Sequence, residues 1–264
     1  MNEKQWQIFA SFKNDFKERI EKWTSFLKNE DEFGLLQELQ KKAADSDNTP
    51  VYPLETPIVY NTAFDNVTRE DEIKLIVVGD NPGKNEQLEK NRKYLVGHSG
   101  KIAERFFARN SELCVDFRKN VIILNKTPIH TAKTKELAFL QKEEKKLGKN
   151  AIFSVMQESQ KWMAERTCRL QQELNKAAES NDPCEIWLVG YSELKPNGIF
   201  SAYVEQLKQS CSEPDKNPIY VYQHFSMNRF LIDLADFRKL NGNLSLDEAL
   251  KALGTKHRNE ILGF

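Results

Sequence analysis

The chain has 264 residues, 39% hydrophobic and 30% charged, which suits one globular domain with decorations. Lys plus Arg and Asp plus Glu each total 39, so the net field offers nucleic acid no general attraction and any DNA contact must be a local patch. No apolar run approaches the roughly eighteen residues needed to cross a bilayer, so no membrane association is expected.

Residues 1–30 mix Glu, Lys and Asp with aromatics, unlike a secretory or transit segment, and a cytoplasmic location is expected. Over residues 4–44 the stripe Trp6, Phe9, Phe12, Phe16, Ile20, Trp23, Phe26, Leu27 recurs at three- and four-residue steps, as in an amphipathic helix or helix pair whose aromatics pack inward. Residues 45–57, with Ser, Asn and two prolines, read as an irregular connection. Four Ile- and Val-rich runs follow at 73–78, 121–124, 186–189 and 219–222, each separated by helix-length sequence, the signature of parallel strands with crossovers. Between them lie predicted helices at 100–109, capped by Ser99, at 135–148 and 151–178, and at 201–209. Closing helices are predicted at 228–239 and 245–253, the last with Ser245 as N-cap and Glu248 in the capping-box position.

This order predicts a three-layer α/β/α fold around a parallel sheet of about four strands. Residues 1–56 form a helical extension, and residues 57–264 form the α/β domain with a helical insertion around 135–180. Cys114, Cys168, Cys184 and Cys211 are scattered without a Cys-x-x-Cys pair, which predicts four reduced thiols and neither a zinc nor an iron-sulfur site.

Parallel sheets of this kind bind ligands beyond the carboxyl ends of their strands, and the polar chemistry of the chain converges there. Strand one ends in Gly79-Asp80-Asn81-Pro82-Gly83, a tight turn able to hold a water, without the Lys of a P-loop or the third Gly of a dinucleotide fingerprint. Tyr94, in Lys93-Tyr94-Leu95-Val96-Gly97, can stack on a flat base or simply pack. Asn125, after Val-Ile-Ile-Leu, presents an amide whose donor and acceptor match the edge of uracil, although Asn is also commonplace in turns. His224 ends strand four, where it can stabilise a departing base or serve structure alone. Lys84, Lys90, Arg92, Lys93, Lys101, Arg105 and Arg109, followed by Lys126, Lys133 and Lys135, form either a DNA-facing patch or a solvated charged face.

Taken together, these three loops resemble the uracil-DNA glycosylase superfamily over about residues 57–240, excluding much of 135–179. Asn81 falls where the mismatch-specific branch has its catalytic Asn and the uracil-specific branch has Asp, while Asp80 falls where the iron-sulfur branch has a catalytic Glu. Tyr94 is similar to the aromatic that stacks on the flipped base, Asn125 to the base-reading Asn, and His224 with Ser226 to the final His-x-Ser motif. The resemblance thus implies Asp80, Asn81 and His224 as catalytic residues and Gly79, Pro82, Gly83, Tyr94, Asn125 and Ser226 as substrate contacts. It implies DNA contacts at Ser99, Lys101, Lys126, Met227, Asn228 and Arg229, with Met227 or Arg229 able to wedge into the duplex.

The departures matter as well. Cluster cysteines are missing at the required spacings, Gly83 replaces the bulky Tyr that excludes thymine, and the last motif lacks both prolines of His-Pro-Ser-Pro. The implied activity is a monofunctional, cofactor-free DNA glycosylase, a monomer acting on uracil-containing or mismatched DNA after base flipping. Two alternatives stand beside it: a catalytically weak or inactive relative that binds DNA, and an enzyme on a nucleoside-like small molecule.

Overall fold

In the computed structural model, residues 1–179, 182–211 and 216–264 are described. Four short strands, β1 (Leu75–Gly79), β2 (Val121–Asn125), β3 (Glu185–Val189) and β4 (Ile219–Tyr222), form one parallel sheet in the order β2-β1-β3-β4. Every residue of β1 and β2 is buried, because helices cover both faces and leave no polar side for the strands to alternate toward. The fold is the expected three-layer α/β/α arrangement with N-terminal helices. The register aligns Gly79 with Asn125 and Val189 with Tyr222, which brings all four strand ends to one edge.

From β1 the chain crosses outward to β2, whereas from β3 it crosses the other way to β4. The topological switch point therefore lies between β1 and β3, where open parallel sheets form their ligand crevice.

Helix α1 (Glu3–Asn29) starts with a capping box between Asn2 and Gln5 and buries Phe9, Phe12, Phe16, Ile20, Trp23 and Leu27. The predicted aromatic stripe is thus core, although Phe26 at its margin is exposed. Trp162 of α5 (Ala151–Ala177) stacks on Phe16 at 5.8 Å and meets Trp23 edge-on at 5.9 Å. Helix α2 (Phe33–Ser46) reaches farther, since Gln40 Nε2 donates to Pro57 O and to His130 O at 3.1 and 2.7 Å. The extension thereby braces the segment that follows β2.

Helix α3 (His98–Arg109) begins two residues earlier than expected, with Gly97 at its N-cap and no side-chain cap, so Ser99 lies inside the first turn rather than capping it. Helices α4 (Glu136–Lys146), α6 (Ser201–Ser210) and α7 (Arg229–Leu240) follow the predicted spans closely, while residue 180, the predicted end of the insertion, lies outside the described residues. Helix α8 (Leu246–Leu262) has the expected Ser245–Glu248 capping box but continues past Leu253, its predicted end, through Gly254 to Leu262. The reason is packing. A Cβ on Gly254 would sit 2.6 Å from Tyr220 Cβ and 2.7 Å from the Tyr222 hydroxyl, so this glycine lets α8 approach β4.

Cys168 and Cys211 are disulfide-bonded, with Cα atoms 5.4 Å apart, which corrects the expectation of four reduced thiols; Cys114 and Cys184 are free. Among the described residues no helix is long and apolar enough to cross a membrane.

Candidate active site at the carboxyl edge of the sheet

Three loops leave the carboxyl ends of β1, β2 and β4, and backbone hydrogen bonds continue the pairing of β1 with β2 and of β3 with β4 just beyond the strands. Lys126 N donates to Gly79 O and Asp80 O, both at 3.0 Å, and Gly190 N donates to Tyr222 O at 2.9 Å. Beyond β3, Gly190 adopts φ +99°, and a Cβ there would lie 2.3 Å from Asp80 Oδ1. The position demands glycine twice over, for conformation and for space. Gly190→Ala is expected to lower stability by about 2 to 5 kcal/mol, measured by chemical denaturation; an unchanged midpoint would refute this reading of the turn.

Asp80 is buried, and both of its oxygens are engaged. Oδ1 accepts from Lys126 Nζ at 2.5 Å and Oδ2 from the Thr134 hydroxyl at 3.1 Å. Lys126, expected on the DNA-facing surface, is instead fully buried. Its Nζ also donates to Val189 O at 2.6 Å and Gly79 O at 3.3 Å and lies 5.0 Å from the Phe200 ring. An ammonium so enclosed cannot reach a phosphate. Burial lowers its pKa, and the Asp80 carboxylate opposes that shift.

Asn81 is only partly buried. Its Nδ2 donates to Thr131 Oγ1 at 2.8 Å and Ile129 O at 3.3 Å, which leaves Oδ1 without a partner among the described residues and able to accept from a water. Pro82 is held from behind, its carbonyl accepting from His130 Nδ1 at 2.8 Å. A Cβ on Gly83 would meet nothing within 4 Å, so open space stands where the resemblance would place a gate.

Tyr94 is corrected most clearly. It is buried, and its hydroxyl donates to Val59 O at 2.6 Å. The following residue, Leu95, has φ +50°, and Gly100 packs so tightly on Leu95 O that a Cβ would sit 1.5 Å from it. This turn carries the ring into the core, where it cannot serve as a stacking platform for a base.

Asn125 is buried, and its Nδ2 finds no hydrogen-bond partner among the described residues. A Cβ at Gly79 would lie 2.6 Å from Asn125 Oδ1, so the glycine ending β1 makes room for this amide. A buried N–H without a partner costs about 1 to 3 kcal/mol, which an incoming acceptor can recover.

His224 completes the edge. Ser226 N donates to its Nδ1 at 3.1 Å, with Ser226 Oγ also 2.8 Å from that atom. Nδ1 is therefore an acceptor, which places the imidazole proton on Nε2, an atom with no protein partner among the described residues. Burial lowers the pKa of His224, with Asp80 raising it and Lys126 lowering it further, so the ring is a neutral donor at pH 7. Without prolines, the loop bends through left-handed residues, Met227 at φ +55° and Asn228 at φ +56°. Buried Phe225 anchors it against Phe230 at 4.9 Å. Met227 is 73% exposed, and Asn228, Arg229 and Lys101 are exposed while Ser99 is partly buried.

Two buried groups in this region escape sequence reasoning. Glu86 lies in a charged run that reads as solvated surface, yet it is buried, accepts from Gly83 N at 3.3 Å, and is pushed up to about 7 by desolvation. His130 is buried between Pro82 O and the Tyr52 hydroxyl, and desolvation lowers it to about 4 against the opposing effect of its hydrogen bond to Pro82 O. Their effects on stability oppose one another. Native Glu86 holds its proton more tightly than an unfolded Glu, so stability falls as pH rises from 4.5 to 7. Native His130 holds its proton less tightly, so stability rises from pH 4 to 6.5. Relative to the parent, Glu86→Gln should gain, and His130→Gln should lose, about 2 to 3 kcal/mol of stability between pH 4.5 and 6.5. Denaturation curves at the two pH values check this, and parallel profiles for all three proteins would refute it.

A cavity of about 530 Å³ opens at the opposite, amino end of the sheet, lined by Lys74, Phe107, Glu185 and Trp187 among others. It contains no residue of the three loops. No protein-family model, curated protein or solved structure matches this chain.

Proposed function

We propose that the protein is a DNA glycosylase of the uracil-DNA glycosylase type, hydrolysing the bond between a damaged or mispaired base and its sugar after the base is flipped out. One observation carries the reading: two hydrogen-bond donors without protein partners among the described residues, Asn125 Nδ2 at the end of β2 and His224 Nε2 just beyond β4, belong to the same carboxyl edge of the sheet. A base with carbonyl oxygens supplies the acceptors such donors lack.

In this mechanism Asn125 donates to one carbonyl of the base. His224, neutral, donates to an oxygen that gains negative charge as the carbon–nitrogen bond stretches, so its contribution grows toward the transition state. Asn81 Oδ1 orients the attacking water but cannot take its proton at neutral pH, so that proton passes to solvent as the new carbon–oxygen bond forms, and the departing base anion takes one from solvent. Asp80, engaged by Lys126 and Thr134, is not a free base, and a slow enzyme follows. Met227, exposed on its left-handed turn, is the group in the His224 loop best suited to fill the space a flipped base vacates. No cofactor enters this mechanism, and the protein acts as a monomer.

The same engagement of Asp80 favours a second reading, a relative that binds DNA without cleaving it. Oligonucleotides carrying uracil, hypoxanthine, xanthine or a thymine mismatch separate the two. Alkali-labile abasic sites in at least one support the glycosylase, while salt-sensitive binding with no base release in any supports the binding-only protein.

A further inference from the structure

The base-release scheme leaves the buried Lys126–Asp80 pair unexplained. Burying two charges costs several kcal/mol per ion, and apolar residues of similar volume commonly replace such pairs without loss of stability. The position offers a different reason. Although Lys126 follows β2, its Nζ bonds to Gly79 O and Asp80 at the end of β1 and to Val189 O at the end of β3. Gly190, the next residue, bonds to Tyr222 O, two residues before His224. The ends of the four strands, including the Tyr222 end of β4 that leads into His224, thus form one hydrogen-bonded unit around the Lys126–Asp80 pair. The charged groups that face His224 are Asp80 and Lys126, which act in opposite directions, while Glu193 in the turn after β3 faces Lys126.

We infer that Lys126 is a positioning residue that locks the ends of β1, β2 and β3 together and cancels the field of Asp80 at His224, keeping the imidazole neutral and free to donate through Nε2. The purpose of this device rests on the glycosylase reading. Its test does not, because it needs no substrate.

The test is the titration of the His224 ring by NMR in the parent, Lys126→Met, Asp80→Asn and the double variant, with the signal assigned by its loss in His224→Gln. In Lys126→Met the uncompensated carboxylate draws a proton to the imidazole; in Asp80→Asn the uncompensated ammonium repels it. The midpoint should rise in the first and fall in the second, each by roughly one pH unit, and return to within about 0.3 units of the parent in the double variant. Equal midpoints in all folded proteins would overturn the inference, as would a double variant shifted as far as a single one. If Lys126→Met does not fold, Asp80→Asn decides, since an unmoved midpoint there also overturns it. Failure of the parent to release any base would count against the glycosylase reading and leave the titration result standing.

Discussion

His224→Ala should lose on the order of 100-fold or more in the rate of base release, with DNA affinity changed far less. The split follows from when the bond matters. A neutral base asks little of a hydrogen-bond donor, whereas the departing anion asks a great deal, so the Nε2 proton contributes mainly in the transition state. His224→Gln, whose amide can also donate, should recover part of the loss. Single-turnover assays at saturating enzyme isolate the chemical step, and a His224→Ala rate equal to that of the parent would reject the assignment. Protonation of His224 is disfavoured by burial, so activity should hold constant above pH 6.5 and decline only on the acid side.

Asn125→Asp carries the second large effect. The substitution preserves shape and replaces an unpartnered donor with a carboxylate in a buried site. A base carbonyl would then face an acceptor, and discrimination of this kind reaches about 10⁴-fold where a site is built around one hydrogen bond. The account predicts loss of both binding of the flipped base and turnover, in contrast to the rate-dominated loss at His224. Fluorescence of an adjacent 2-aminopurine, read beside cleavage, separates the two. Normal flipping in Asn125→Asp would show that the amide reads nothing.

The strands were legible because each is a short run of Ile and Val buried on both faces, and the strand-end residues followed from them. Asn125 and His224 could be placed at the sheet edge from position alone. Orientation could not. Tyr94 turns inward because Leu95 adopts a positive φ and Gly100 closes on it, a conformation that nothing local in Tyr-Leu-Val-Gly announces. Lys126 looked like a basic surface residue because its partners, Asp80 and Val189 O, are 46 and 63 residues away in sequence. Glu86 and His130 were missed for the same reason, since burial of a single charged side chain is decided by tertiary packing rather than by its neighbours in the chain. The Cys168–Cys211 bridge spans 43 residues, and its spacing resembles no motif. Gly190 had the one usable signal, a glycine directly after an apolar strand.

In this mechanism Asn125 Nδ2 and His224 Nε2, the unpartnered donors at the carboxyl edge of the sheet, act on a flipped base. Chromatographic detection of the free base, released from uracil- and hypoxanthine-containing oligonucleotides by the parent and by His224→Ala, tests it most directly. The account predicts free base in step with abasic sites for the parent and its near absence for the variant. DNA binding with no free base from any substrate, or equal release by the two proteins, would contradict it.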